Sequence, residues 1–408
     1  MKNTKNTATV SSSRRKLTVI LCVALAAVLL FGGVLITVNA VRSSRAAVRY
    51  NGVSFDKGVT SFIAASFKYD YIIYLQRCGV YEAQDTEAFW SSYSIGNTTY
   101  GQMLQSELDS YVAQLAVGVY IFDRYSRMTA ADKSAVRTAV NDVLEYRASG
   151  SELAFNRLSE PMGFDFDDFE KGCEIIYKAR RAQKAIYGES GSVLASGDFA
   201  EDLNRLYSDY SHVNILMIRT ETDFATDTEG NRVQGNDGND EMVTLSDEKK
   251  AERLADLATV RALIDAQGTD AESYMTPGAF REWMKKYDYD PENRDSGYYF
   301  MSGSSYTSEF GKGLPSVVST ALSMQIGEFK EVELEGGVYI FLYRYENEPL
   351  AYANSSYSRF FGDFYSLCAD TLYAEIVNTL AYDVQVGNKY YEINATALPY
   401  NKELYPNF

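Results

Sequence analysis

The sequence predicts an α+β protein, and three observations carry that expectation. Apolar residues recur at helical spacing through most of 56–210, the period shortens from about 3.6 to 2 at Val213, and the pair Gly336-Gly337 separates two alternating runs. With 46% apolar residues, 33 Tyr and 21 Phe in a chain of 408, there is enough material for more than one buried core.

The first 45 residues stand apart from that fold. Lys2, Lys5, Arg14, Arg15 and Lys16 precede Leu17–Ala40, 24 residues without a charge. As a helix rising ~1.5 Å per residue, this run would cross a hydrocarbon core. Basic residues ahead of it and no acidic residue among the first 41 favour a cytoplasmic N-terminus and an exported remainder. The expectation is a single-pass signal anchor over 1–45. A long signal peptide cut near Val38-Asn39-Ala40 is the competing reading. Cys22 has a long uncharged stretch behind it, which argues against a lipid-attachment cysteine.

Five of the 39 basic residues precede the apolar run, which leaves 34 against 55 acidic ones, about −21, on the exported side. That charge disfavours nucleic acid and anionic lipid surfaces as partners. Cys78, Cys173 and Cys368 are an odd, widely spaced set, so no disulfide framework is written here.

"AAVRYNGVSF", 46–55, alternates around Asn51-Gly52 and reads as a hairpin. Leu104, Leu108, Val112, Leu115, Val119 and Phe122 form one helical stripe. Thr129 with Asp132 caps a helix carrying Val136, Val140 and Val143, and Asp165 precedes one carrying Phe169, Cys173, Ile176 and Tyr177. A helical domain over 46–210 follows.

Residues 211–348 form the next domain. Val213–Ile218 is strand-like, 221–242 reads as a long exposed loop, and 246–266 and "TPGAFREWMKKY" are helices. The alternating runs around Gly336-Gly337 close the domain as a hairpin. The loop's carboxylates lack the spacing that wraps calcium. Residues 349–408 supply a helix with Phe360, Phe364, Leu367 and Leu372 on one face, too short to bury that face alone and expected to dock on the helical domain. One histidine and scattered cysteines cannot build a conventional zinc site, "GKG" at 311–313 lacks the spacing of a phosphate loop, and no nucleophile-base-acid set is visible. No cofactor or metal is expected.

Several phrases in the middle domain fall in a known order. "VNILMI" stands where a strand of the type S-H-I-L-V would, "YDYDPENRDSGYYF" where Y-S-x-D and an aromatic would, and "STALSMQIGEF" and "GGVYIFLYR" where A-x-x-L-x-x-G-E and G-Y-H-I-I would. The domain thus resembles the parvulin family of peptidyl-prolyl isomerases. "MTAADKSAVRTAVNDV", "GSELAFNRLSEPMGFDFDDF" and "ASGDFAEDLNRLYSDYSHV" are similar to the N-terminal chaperone domain of SurA, PrsA and PpiD-type foldases.

The resemblance implies a site, and shows it altered. The family's first histidine falls on Asn214 and its second on Tyr339. His212, the chain's one histidine, shares the parity of Asn214 but lies one pleat, about 6 to 7 Å, away. The family's polar position is kept as Asp290, although Asp290-Pro291 is equally a good turn start. The proline seat falls near Gly313 and Val317, with Phe300 and Leu322 as remaining apolar walls. Candidate catalytic residues are therefore Asp290, Tyr339, Asn214 and His212, and candidate substrate-binding residues are Phe300, Val317 and Leu322.

Rotation about an X-Pro bond has a barrier of ~20 kcal/mol and needs neither nucleophile nor metal, so loss of the histidines alone does not abolish it. Loss of the proline seat with them points to weak or absent isomerase activity. The expected function is a membrane-anchored extracytoplasmic chaperone or foldase that binds unfolded exported proteins. The alternatives are a slow peptidyl-prolyl isomerase and a surface protein with one dedicated partner.

Overall fold

The computed structural model describes residues 46–399 and Leu404, apart from 81–82, 197, 230, 236–239, 268–274 and 289–296. The apolar run 17–40 and Asp290 lie outside the described residues. The architecture is α+β, with two compact units: one runs to Val193 and resumes at Ala369, the other is Leu194–Cys368. Among the described residues no helix is long and apolar enough to cross a membrane.

The first unit opens with strands β1 (Ala46–Tyr50) and β2 (Val53–Asp56). Asn51 and Gly52 join them with φ of 43° and 92°, the left-handed pair that a two-residue hairpin requires. Helix α1 (Lys57–Arg77) follows, then α2 (Glu87–Ser92), the small ladder β3 (Ser94–Ile95) and β4 (Thr98–Thr99), and the long α3 (Tyr100–Tyr125). Next come α4 (Ala130–Ala148), α5 (Glu152–Ser159) and α6 (Phe166–Tyr187). Thr99, Thr129 and Asp165 each close a reciprocal capping box at the start of α3, α4 and α6. The stripe Leu104 to Phe122 on α3 is buried throughout. Gly118 of α3 meets Ala179 of α6, and Gly172 of α6 meets the Phe62 ring of α1; both are close approaches that leave little or no room for a side chain.

The second unit begins with α7 (Ala200–Tyr207) and strand β5 (Ser211–Arg219). Strands β6 (Thr222–Phe224) and β7 (Met242–Thr244), helices α8 (Asp247–Asp265) and α9 (Pro277–Tyr287), and strand β8 (Tyr298–Phe300) come next. Helices α10 (Ser305–Gly313) and α11 (Pro315–Ser323) lead to β9 (Phe329–Leu334) and β10 (Val338–Tyr345). The order β8-β5-β10-β9 is antiparallel throughout, with β9 and β10 joined at Gly336-Gly337, both at positive φ.

Every residue of β5 from Ser211 to Ile218 is buried, because helices cover both faces of the sheet. Leu216, Ile218, Phe341 and Tyr343 pack with Leu257 and Val260 of α8 and Phe280 and Met284 of α9. The opposite parity, Ile215 and Met217, faces Phe310 and Leu314. The segment 221–242 differs from the plain loop expected. Its described part folds back as the β6–β7 ladder, extended by bridges Thr226 to Arg232 and Gln234 to Asp240. The guanidinium groups of Arg219 and Arg232 lie 4.6 and 3.7 Å from the centre of the Phe224 ring.

Helix α12 (Phe364–Ala381) leads to strand β11 (Gln385–Val386) and helix α13 (Asn388–Tyr391). β11 pairs with β1, and Val377, Tyr390, Ile393, Ala395 and Leu404 join the first unit's core. Lys68 of α1 is fully buried. Its ammonium donates to the carbonyls of Thr396 (3.0 Å) and Leu398 (2.6 Å) and pairs with Asp85 at 2.5 Å. Cys78, Cys173 and Cys368 are free thiols.

Candidate ligand-binding cleft

The pleat of β5 decides what its side chains can do, because successive residues face opposite helix layers. His212 and Asn214 face the same layer and are both buried. The His212 ring stacks on Tyr299 of β8, and its Nδ1 lies 3.1 Å from the Glu346 carbonyl, so Nδ1 carries the proton. Burial lowers the imidazole's pKa below the ordinary value, more than the Glu346 carbonyl and the Glu348 charge raise it. Asn214 lies beside Tyr345, whose phenol is pushed far up by burial. A Cβ on Gly297 would come within 2.9 Å of Asn214 Oδ1 and 2.7 Å of His212 Cδ2. Among the described residues, His212, Asn214, Tyr299 and Tyr345 thus form a buried polar-aromatic cluster packed against Gly297.

Tyr339 shares that face of the sheet but pairs with Ile218, whereas Asn214 pairs with Tyr343. Four residues along a strand is about 13 Å, so the two positions implied as the family's histidine pair are not brought together. Tyr339 is half-buried, its hydroxyl donating to Glu333 at 3.3 Å and its ring lying 5.2 Å from the Arg261 guanidinium. Burial and then Glu333 raise its pKa.

The apolar candidates are on the other side. Phe300 is buried, stacked with Tyr298 and against Phe310 of α10, while its strand neighbour Tyr299 turns to His212. Val317 is buried on α11 and Leu322 is half-buried near that helix's end. The sheet therefore separates His212, Asn214 and Tyr339 from Phe300. With Asp290 outside the described residues, the expected constellation does not assemble among those that are described.

What does open on the α10 side is a cleft of about 350 Å³. β5 lines it with Ile215, Met217 and Arg219, β8 with Tyr298, and the β9–β10 hairpin with Leu334, Glu335 and Val338. Phe310 and Leu314 complete it. Leu314 is the junction between two helices: Pro315 starts α11 and restricts the residue before it, which sits at φ −135°, ψ 60°. Two lining residues carry charge, Arg219 and Glu335, and both lie at the hairpin end, where Arg219 pairs with Val338. Such a surface takes up an apolar side chain and offers ionic contacts at one end; it has no thiol or imidazole in its lining for covalent or acid–base chemistry.

Sequence reasoning missed Ile215, Met217, Phe310 and Leu314. The available clue was parity: if Phe300 is a wall, a β5 residue facing the same layer has the parity of Ile215, one position from Asn214. Among the described residues no group of three or more His, Cys, Asp or Glu could hold a metal ion.

No family model matches the chain, and no curated protein matches it. Among solved structures it is similar to PrsA from Bacillus subtilis, at 12% identity and a TM-score of 0.20, covering 76% of this chain and 98% of that one. It is also similar to the foldase protein PrsA from Streptococcus pneumoniae, at 12% identity and a TM-score of 0.19, covering 75% and 98%.

Proposed function

We propose that this chain is a membrane-anchored extracytoplasmic chaperone of the foldase type, which takes apolar side chains of unfolded exported proteins into the cleft beside α10. The observation that carries the reading is the lining itself. Ile215, Met217, Phe310, Leu314, Leu334 and Val338 form an apolar trough with charge at one end only. A trough of this kind holds a flexible segment by its side chains without altering its bonds. The charge-free run 17–40 and the basic residues ahead of it support the anchor and the exported location.

Isomerisation would need an apolar seat and electrostatic support for a twisted amide. The cleft supplies the first, and its charged pair stands at one end, which favours binding over catalysis.

The test uses the full chain and a fluorescent peptide with a central Leu-Pro. Phe310→Glu or Leu314→Glu places a charge in the trough and should weaken binding by roughly tenfold or more. Suppression of client aggregation should fall in parallel. Unchanged binding in both variants would remove the cleft as the site, and prolyl isomerisation lost with the same variants would reassign it to catalysis.

A further inference from the structure

In the first unit, three oxygens meet the buried ammonium of Lys68: the Asp85 carboxylate at 2.5 Å and the backbone carbonyls of Thr396 and Leu398 at 3.0 and 2.6 Å. Trp90 of α2 donates to the same carboxylate at 2.9 Å and so holds it in place. One carboxylate balances the charge of Lys68, and the two carbonyls take its remaining N–H groups. A carbonyl carries no side-chain identity. The donors therefore recognise a backbone, and another segment can present the same pair.

The segment that fills this place is lightly tied. Apart from those given by Lys68, the hydrogen bonds of 394–398 run within the segment itself: the Asn394 side chain accepts from the backbone N–H groups of Thr396 and Ala397 and from the Thr396 hydroxyl, and the Asn394 carbonyl accepts from Ala397 and Leu398. Asn394 and Ala397 are exposed, whereas Ile393 and Ala395 are buried. A Cβ on Gly101 of α3 would come within 3.0 Å of Thr396 Cγ2, so the seat suits a small side chain and a close backbone. Just ahead of the segment the chain is fixed, because the Tyr390 hydroxyl donates to Asp109 of α3 at 2.5 Å. Beyond it, apolar contacts of Ile393, Ala395 and Leu404 and the donors of one lysine hold it down. Local opening there would leave a buried cation with one partner, a state that any other segment bringing carbonyls and an apolar side chain would relieve.

We infer that the segment from Ile393 onward is a strap, a ligand supplied by the chain itself, lying over a polypeptide-binding site on the first unit. When the strap lifts, the site takes segments that join a small apolar residue to two backbone carbonyls. Lys68 is the binding residue and Asp85 its charge partner. The inference is independent of the cleft beside α10.

A fluorescent peptide of residues 392–404 is titrated against the full chain by anisotropy. Ile393→Ala weakens the strap's apolar hold, and Ala395→Asp places a charge in its closed seat. Both should raise peptide affinity by about tenfold or more over the parent, in which the tethered strap competes at an effective concentration on the order of millimolar or above. A peptide carrying the Ala395→Asp change should not bind, and Lys68→Gln in the Ile393→Ala chain should cost roughly tenfold or more. Phe310→Glu, in the cleft of the other unit, should leave this affinity within about twofold. Amide exchange in the parent needs no variant: Ala397 and Leu398 should exchange about tenfold or more faster than Leu108 and Val112 of α3, and millimolar peptide should speed them further.

Equal affinity, or no binding, in the parent and Ile393→Ala overturns the site, as does binding that survives Lys68→Gln or tolerates Asp in the peptide. Exchange at Ala397 and Leu398 as slow as in α3 shows that the segment opens only with the whole unit, and overturns the strap. Where Ala395→Asp or Lys68→Gln unfolds the unit, Ile393→Ala and the exchange rates decide. Loss of this binding through Phe310→Glu would assign the peptide to the cleft beside α10 and overturn the second site.

Discussion

The imidazole of His212 lies face to face with the ring of Tyr299, 4.4 Å between centres and 5° from parallel. That contact packs the chain's one histidine into the sheet's buried face. It also makes a prediction. Burial lowers the folded-state pKa below the value near 6.5 that an unfolded histidine shows. As pH falls through 6.5 the unfolded chain takes up a proton that the folded chain refuses, so His212 costs stability in acid and costs nothing above neutrality. The single imidazole resonance should titrate below 6.5, and His212→Phe should flatten the fall of the melting temperature on the acid side of 6.5. A resonance titrating at or above 6.5 would contradict the burial argument.

Much of the fold was legible because its determinants are local. Asn51-Gly52 and Gly336-Gly337 must be hairpin turns whatever surrounds them, and Thr129 and Asp165 start helices through side chains three residues from their partners. The site was less legible. β5 is buried on both faces, so its pattern does not tell which layer covers which parity; only β8 and the helices show that Asn214 faces the layer of His212 and Tyr299 and Ile215 the cleft. The β6–β7 ladder was hidden for a related reason. Its polar residues read as a loop, and the Arg253–Asp223 and Arg232–Asp240 pairs that hold it form only in the folded unit.

Lys68 shows the same difficulty and supports a second prediction. A lysine in a helix reads as solvated, yet this one finds carbonyl partners some 330 residues away. With its side chain 1% exposed, Lys68→Met would leave two carbonyls and the Asp85 carboxylate without their donor. Removing one member of a buried pair costs about 3 to 5 kcal/mol, and the lower end applies because Asp85 keeps some contact with water and a hydrogen bond from Trp90. Urea denaturation should show that loss. Hydrogen exchange at Ala397 and Leu398 should accelerate more than exchange in α3; uniform acceleration would mean that Lys68 does not act on the C-terminal segment in particular.

Gly172 should be intolerant of even one methyl group. The added Cβ would overlap the Phe62 ring, which is fully buried and held edge-on by Phe164 and Phe169 at 5.4 and 5.2 Å. Overpacking of this kind costs about 1 to 3 kcal/mol, and Gly172→Ala should lower the urea midpoint accordingly. Phe62→Leu makes room, so in the double variant the second change should cost less than it does alone. Strict additivity would show that the two residues do not meet.

The sheet's two faces give the sharpest test of where ligand binds. Tyr339→Phe removes a hydroxyl that reaches Glu333, and Asn214→Ala alters a core closed by His212 and Gly297; both lie across the sheet from the cleft. Neither change touches the trough, so peptide affinity should stay within about twofold of the parent even where Asn214→Ala lowers stability, since effects on separate surfaces are nearly independent. Ile215→Ala differs from Asn214→Ala by one step along the chain and faces the other layer. It removes three carbons from the cleft wall, at ~0.8 kcal/mol per methylene, and should weaken an apolar peptide by roughly tenfold or more. The reverse pattern, with Asn214 or Tyr339 controlling affinity and Ile215 indifferent, would move the binding site to the face covered by α8 and α9 and restore the positions that the parvulin resemblance implied.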